Sequence, residues 1–167
     1  SYTVATKALL NSAAGAPTAF TASPAVFENS VNLAWSGAKA GTNNSITGYY
    51  IDKSENGGSW TYVKTVSSTA TSGSTSITSY TPARGASVKY RVRTQGSAGS
   101  SYYSGWKESN TIKRNSMPLP PTVFSTSKIE FKENEPLTLK WSGASDPDNN
   151  IKGYNLKQHK TIDGEWA

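Results

Sequence analysis

Val31-Asn32-Leu33-Ala34-Trp35-Ser36-Gly37-Ala38 and Leu137-Thr138-Leu139-Lys140-Trp141-Ser142-Gly143-Ala144 share one pattern: apolar-polar-apolar-polar-Trp-Ser-Gly-Ala. Alternation with a period of two marks a strand with one buried and one wet face. In both copies the Trp ends the buried row, and the Gly two residues on signals a turn. The likeness extends outward. Ile46-Thr47-Gly48-Tyr49-Tyr50-Ile51 matches Ile151-Lys152-Gly153-Tyr154-Asn155-Leu156, and Trp60 and Trp166 follow at similar distances. Upstream, Ala16-Pro17-Thr18-Ala19-Phe20 matches Pro120-Pro121-Thr122-Val123-Phe124, and Asn110-Thr111-Ile112 resembles Tyr2-Thr3-Val4. Trp35 to Trp141 and Ile46 to Ile151 both give a repeat of about 105 residues.

The repeat sets expected boundaries. Residues 1–14 read as the last strand of a preceding module plus a linker, and 15–115 as a complete module. Residues 116–121 are a Pro-rich linker, stiffened toward polyproline II, and 122–167 form the N-terminal half of a further module. On this reading the chain starts and stops in mid-module. Within the complete module, strands are expected around Val31–Ser36 and Ile46–Asp52, then at 59–66, 75–79, 88–93 and 107–113. Tyr49 and Ile51 should face inward, with Tyr50 and Asp52 outward. Asn56-Gly57 suits the positive φ of a hairpin turn. With a first strand after Pro17 these make seven short strands with frequent turn signals, and they predict an all-β fold of antiparallel, immunoglobulin-like β-sandwich modules in tandem. The expected core is Trp35, Tyr49, Ile51, Tyr90 and Val92, with Trp141 and Tyr154 as their counterparts in the half-module. That half supplies about four of seven strands, so Leu139, Trp141 and Tyr154 should keep one uncovered face.

Composition narrows the function. The chain has no Cys, which excludes a disulfide framework and a thiolate zinc site. No apolar run reaches the roughly 18 residues of a membrane helix, so no membrane span is expected. Lys7 to Leu10 is the only run of helix formers, too short to stand alone. Ser1 to Lys7 lacks the pattern of a secretory leader, so any export signal is expected outside this segment, or export by assembly and lysis. The net charge is +6, but the 17 Lys and Arg are spread along the chain with no nucleic-acid-binding signature. The densest group, Lys89, Arg91 and Arg93, shares one face of one strand. It reads as a solvated outer face, with a cationic patch for an anionic polymer as the rival.

These same residues resemble the fibronectin type III family. That family places a Pro before its first strand, as at Pro17. It puts a Trp on the second strand, as at Trp35 and Trp141, and an inward Tyr on the third, as at Tyr49 and Tyr154. An apolar-x-Pro step precedes its sixth strand, here Tyr80-Thr81-Pro82. The sixth strand here is Val88-Lys89-Tyr90-Arg91-Val92, so the usual corner Tyr is replaced by Val88. The resemblance covers essentially the whole chain. The run from Trp141 to Tyr154, followed by Asp163-Gly164-Glu165-Trp166, is similar to fibronectin modules in tail and other structural proteins of phages and prophages of Gram-positive bacteria. Related modules occur in bacterial surface proteins and secreted glycan-degrading enzymes.

The resemblance implies a non-catalytic structural or spacer module of a virion, exposed to the exterior, with weak adhesion to host cell-surface polysaccharide as an added task. Its partners would be neighbouring modules or other subunits of the same assembly. The alternatives are a bacterial surface adhesin and an accessory spacer of a secreted polysaccharide-degrading enzyme. The residues themselves agree on the absence of catalysis. His159 is the only His and has no nucleophile beside it in the pattern. No catalytic residue and no cofactor is expected. Asp146, Asp148 and Asn150 place oxygen ligands at the short spacing calcium accepts, but equally suit an Asx turn. Tyr102, Tyr103 and Trp106, around the loop from Gly96 to Gly105, are the candidate surface for glycan or a protein partner. The bland reading of the same residues is that Trp106 folds back over the sandwich end.

Overall fold

In this computed structural model the described residues are 10–78, 81–128, 130, 132 and 134–158, with the backbone of 161–162 and 165–166. The strand expected before residue 10, the Tyr80 step, His159, Asp163 and the Trp166 side chain lie outside them. The chain divides into two units, Ser1–Asn115 and Ser116–Ala167. No helix among the described residues is long and apolar enough to cross a membrane.

The first unit runs β1 (Ala19–Ser23), β2 (Val26–Phe27), β3 (Val31–Ser36), β4 (Ile46–Glu55), β5 (Thr61–Ser67), β6 (Gly73–Ile77), β7 (Ser87–Gly96), β8 (Lys107–Glu108) and β9 (Ile112–Arg114). One sheet has the order β1-β3-β6; the other has β2-β9-β7-β4-β5, with β8 also on β7. The alternation of the quoted octet becomes β3, with Val31, Leu33 and Trp35 buried and Asn32, Ala34 and Ser36 exposed. The same parity buries Val88, Tyr90 and Val92 in β7. Tyr49 and Ile51 of β4 are buried as well, and the Trp35 and Tyr49 rings meet with centroids 4.7 Å apart. Gly73 stands opposite Trp35 in the β3–β6 register, where a Cβ would come within 2.7 Å of the indole. Only glycine leaves that edge open to the ring.

Several strand expectations shift. The stretch at 59–66 is β5 at Thr61–Ser67, and the one at 75–79 is β6 at Gly73–Ile77. The chain leaves the first sheet after Ser23 and enters the second at Val26. Pro24 in between lacks the N–H that a continued ladder would need. The final strand, expected as one piece over 107–113, is split into β8 and β9. Side chains replace the ladder at the break. Asn110 accepts the Ala22 N–H at Oδ1 and donates Nδ2 to the Ala22 carbonyl, while Ser109 Oγ accepts the Tyr90 N–H. Asn110 thereby ties the second sheet to the edge of the first.

The second unit contains β10 (Val123–Thr126), β11 (Leu139–Ser142), β12 (Thr161–Ile162) and β13 (Glu165–Trp166), paired as two antiparallel ribbons. The β10–β11 register sets Phe124 against Trp141 and Thr126 against Leu139. β1–β3 sets Phe20 against Trp35 and Ala22 against Leu33 in the same way. The turns repeat too, with Gly37 and Gly143 at φ 76° and 78°, each against a Thr (Thr18 and Thr122). Trp141 and Tyr154, expected as counterparts of the core residues with one face left uncovered, are 36% and 48% exposed. Their rings still meet, at 5.4 Å. The described strands here supply ribbons, not a facing sheet, and residues 151–158 form no strand.

Two predictions follow from these contacts. Asn110→Ala strands two buried backbone groups of Ala22 and should cost about 1–3 kcal/mol in urea unfolding of the chain. Tyr90 is fully buried and its hydroxyl has no hydrogen-bond partner among the described residues. Burial first, and the Glu55 carboxylate second, push its phenol well above the ordinary value. An unfolded Tyr ionises near pH 10 while the folded one stays protonated, so stability should be flat below about pH 9 and fall above about pH 10. Tyr90→Phe should stay within about 1 kcal/mol of the parent at pH 8. At pH 11 it should show a shallower fall, by up to about 1.4 kcal/mol per pH unit.

Candidate functional site

The outward positions of β7, Lys89, Arg91 and Arg93, run down the middle of the larger sheet's outer face. On one side β4 places Ser54, Asp52 and Tyr50 opposite them in register. On the other side β8 pairs Glu108 with Arg91 and Lys107 with Val92. Antiparallel geometry then brings Trp106, just before β8, beside Arg93. From β5, Tyr62 pairs with Asp52, and Trp60 lies just ahead of that strand.

These side chains interleave. Arg91 has its guanidinium 4.6 Å from the Trp60 ring centroid and 3.9 Å from that of Trp106. Arg93 lies 4.6 Å from Trp106, 4.9 Å from Tyr50 and 5.3 Å from Tyr103. Tyr50 in turn packs against Tyr62 at 4.9 Å and meets Trp106 edge-on at 5.9 Å. The result is a ladder of alternating rings and cations. Each such contact contributes about 0.5–1 kcal/mol at a wet surface and more where water is excluded.

Asp52 makes the ladder more than decoration. The sequence pattern places it outward, yet it is 5% exposed because Arg91 lies over it. Arg91 donates from Nε and Nη2 to Asp52 Oδ2, at 2.9 and 2.7 Å. A carboxylate taken out of water without a partner costs several kcal/mol, far more than one ring contact returns. The expectation of a solvated cationic face is therefore corrected for Arg91 and Arg93: both are half-buried among rings. Lys89 remains at the surface, 2.6 Å from Glu108.

Of the three aromatics singled out from sequence, Tyr103 and Trp106 join this ladder, and Trp106 lies on the sheet face rather than over the sandwich end. Among the described residues, Tyr102 makes no ring contact with it. It contributes its backbone carbonyl, which accepts from Asn44 Nδ2 and the Ala14 N–H. Asn44 is buried and also binds the Ser12 carbonyl and the Ala98 N–H, which fixes the loop carrying these tyrosines. Gly96 is obligatory beside it, since a Cβ there would stand 2.0 Å from Asn44 Oδ1. Tyr50, Asp52 and Trp60 were not assigned to a site from sequence; lining up the outward parities of β4, β5 and β7 was the signal that could have found them.

In the second unit, Asp146 and Asp148 take part in a turn. Asp146 Oδ1 accepts the Asp148 N–H at 2.7 Å, and Asp148 Oδ2 accepts the Ser116 N–H. Asn150 stands exposed two residues on. No group of three or more acidic or His side chains suited to a metal ion occurs among the described residues.

No family model matches the chain. No curated protein matches it either. Solved structures do. The fourth FNIII domain of a human protein is 18% identical over 74% of this chain and 96% of its own length, with a TM-score of 0.51. A titin kinase with its flanking domains is 20% identical over 60% of this chain, with a TM-score of 0.49, and the chain spans only 17% of it. The human domain shows the fold, and the fold alone: the chain has a fibronectin type III-like β-sandwich.

Arg91→Met keeps the apolar stem between the Trp60 and Trp106 rings but leaves Asp52 buried and unpaired. It should destabilise the chain by about 2–4 kcal/mol in urea unfolding. The double variant Arg91→Met with Asp52→Leu should recover at least half of that loss.

Proposed function

We propose that this chain is a non-catalytic structural or spacer segment of a virion protein, in a tail or decoration, built from tandem fibronectin type III-like modules and exposed to the exterior. The observation that carries the reading is the repeat of one ribbon in two units. Phe20–Trp35 and Phe124–Trp141 share register, turn geometry and a partner Tyr, with a Pro-rich stretch at 116–121 between them. In a string of modules that each bury their own core, a Pro-rich connector is stiffened toward an extended chain and suits a spacer. The similarity of the run from Trp141 to Tyr154 to phage and prophage modules favours the virion over a surface adhesin or an enzyme's accessory spacer. The charged groups on the larger sheet also support a structural role. Asp52, Arg91, Lys89 and Glu108 are engaged with one another, holding the face together instead of standing free for proton transfer. Partners on this reading are neighbouring modules and other subunits of the same assembly. Weak adhesion to host surface glycans through the ring-bearing face is its second task.

Antibodies raised against residues 15–115 should decorate purified virions in immunogold electron microscopy, at regular positions on tail or capsid. Labelling of bacterial cell walls with none on particles would replace the virion by the adhesin.

A further inference from the structure

Three cations point outward from β7, and two of them are matched. Lys89 pairs with Glu108 and Arg91 with Asp52. Arg93 is not: among the described residues it has no carboxylate within ion-pair distance, and its buried Nε has no hydrogen-bond acceptor. Its guanidinium is instead flanked by Trp106, Tyr50 and Tyr103. Ring faces satisfy the flat sides of a guanidinium but accept none of the N–H bonds, which all lie in its plane. The residue as a whole is half-buried, so the terminal Nη edge is the part open to solvent. A planar cation held between rings with a free N–H edge is preorganised for one oxyanion, carboxylate or phosphate. Beside it lie hydroxyl-bearing and apolar ring surfaces: Tyr62, 56% exposed, and the half-exposed Tyr103 and Trp106.

We propose that Arg93, with Trp106, Tyr103 and Tyr50, forms a binding site for an acidic sugar unit of a surface polysaccharide. The oxyanion takes the Nη edge of Arg93, and the C–H face of the pyranose lies on the adjoining rings. This deepens the adhesion part of the function proposed above and rests on it. The net charge of +6 favours encounter with a polyanion, while Arg93, the one outward cation of β7 without a carboxylate partner among the described residues, gives it a docking point. Arg91 is the weaker competitor, because its Nε and Nη2 already donate to Asp52.

The test is titration calorimetry of the whole chain with five probes: a galacturonate oligomer, its uncharged methyl ester, glucose 6-phosphate, glucose, and polyglutamate of matched charge. The acid should bind at least about tenfold more tightly than the ester, the scale of one lost charge-assisted contact. The tighter of the carboxylate and phosphate arms names the anion. Arg93→Gln should lose that preference, whereas Lys89→Gln, removing an equal charge from the same strand, should change binding less than about twofold. No preference for the charged sugar over its uncharged counterpart in either arm, an unchanged Arg93→Gln protein, an equal loss in Lys89→Gln, or polyglutamate binding as tightly as the preferred charged sugar would each overturn the site. Should Arg93→Gln fail to fold, the wild-type NMR spectrum decides: the acid must shift the Trp106 indole N–H and the ester must not. Absence of binding in every arm removes this site and leaves the spacer reading to the labelling of particles.

Discussion

Trp35 in β3 and Tyr49 in β4 meet across the gap between the two sheets of the first unit, and their contact sets what every other strand must do. The indole comes from one sheet and the phenol from the other, so the pair fixes both the spacing and the facing of the layers. An aromatic pair of this kind contributes roughly 0.5–1.5 kcal/mol beyond the area it buries. Its larger effect is on register. A slip by one residue in either strand would turn the ring to solvent along with every apolar neighbour on that face. Tyr49 adds a second lock, donating its hydroxyl to the Ala70 carbonyl in the loop before β6. The Gly73 gap then lets that strand close against the indole edge.

Fixing the inner face fixes the outer one, because strand residues alternate. With Tyr49, Ile51, Val88, Tyr90 and Val92 committed inward, Tyr50, Asp52, Lys89, Arg91 and Arg93 have no other side to occupy. Their juxtaposition follows from the β4–β7 register and needs no additional instruction. What does need a specific choice is the filling between them. Trp60 and Trp106 come from outside the regular strands; Trp106 lies against both guanidinium groups and Trp60 against that of Arg91, converting a row of like charges into a stack. Like charges two residues apart on one strand would otherwise repel. Interposed rings and the Asp52 and Glu108 carboxylates offset that cost at two of the three positions.

Alternation within one strand is a local property, and it was readable in the sequence: the octet around Trp35, the parity of Val88, Tyr90 and Val92, and the turn at Asn56-Gly57 lie where the residues place them, and the octet around Trp141 forms its strand pair without the burial. Features that depend on two segments far apart in sequence were harder to see. The split of the last strand depends on Asn110 reaching Ala22, 88 residues away. The cover over Asp52 comes from Arg91, 39 residues on. The ladder unites Tyr50, Trp60, Arg91, Arg93, Tyr103 and Trp106, of which the sequence reading singled out Tyr103 and Trp106 as a surface and Arg91 and Arg93 as charge. Joining the two sets required the pairing of β7 with β8, and β8 is too short to announce itself by period.

The second unit separates the two kinds of information within one molecule. Phe124 and Trp141 face each other as Phe20 and Trp35 do, the Thr122–Gly143 turn has the geometry of Thr18–Gly37, and the Trp–Tyr contact recurs at a slightly longer distance. Yet Trp35 is 4% exposed and Trp141 is 36% exposed. Pairing and turn shape are therefore set by the ribbon's own residues, through backbone hydrogen bonds and a glycine at positive φ. Burial is set by whatever sheet lies opposite. A two-stranded ribbon cannot bury an indole by itself, since each of its faces needs a second layer. The same octet is thus a sufficient code for a strand pair and only half of the code for a core.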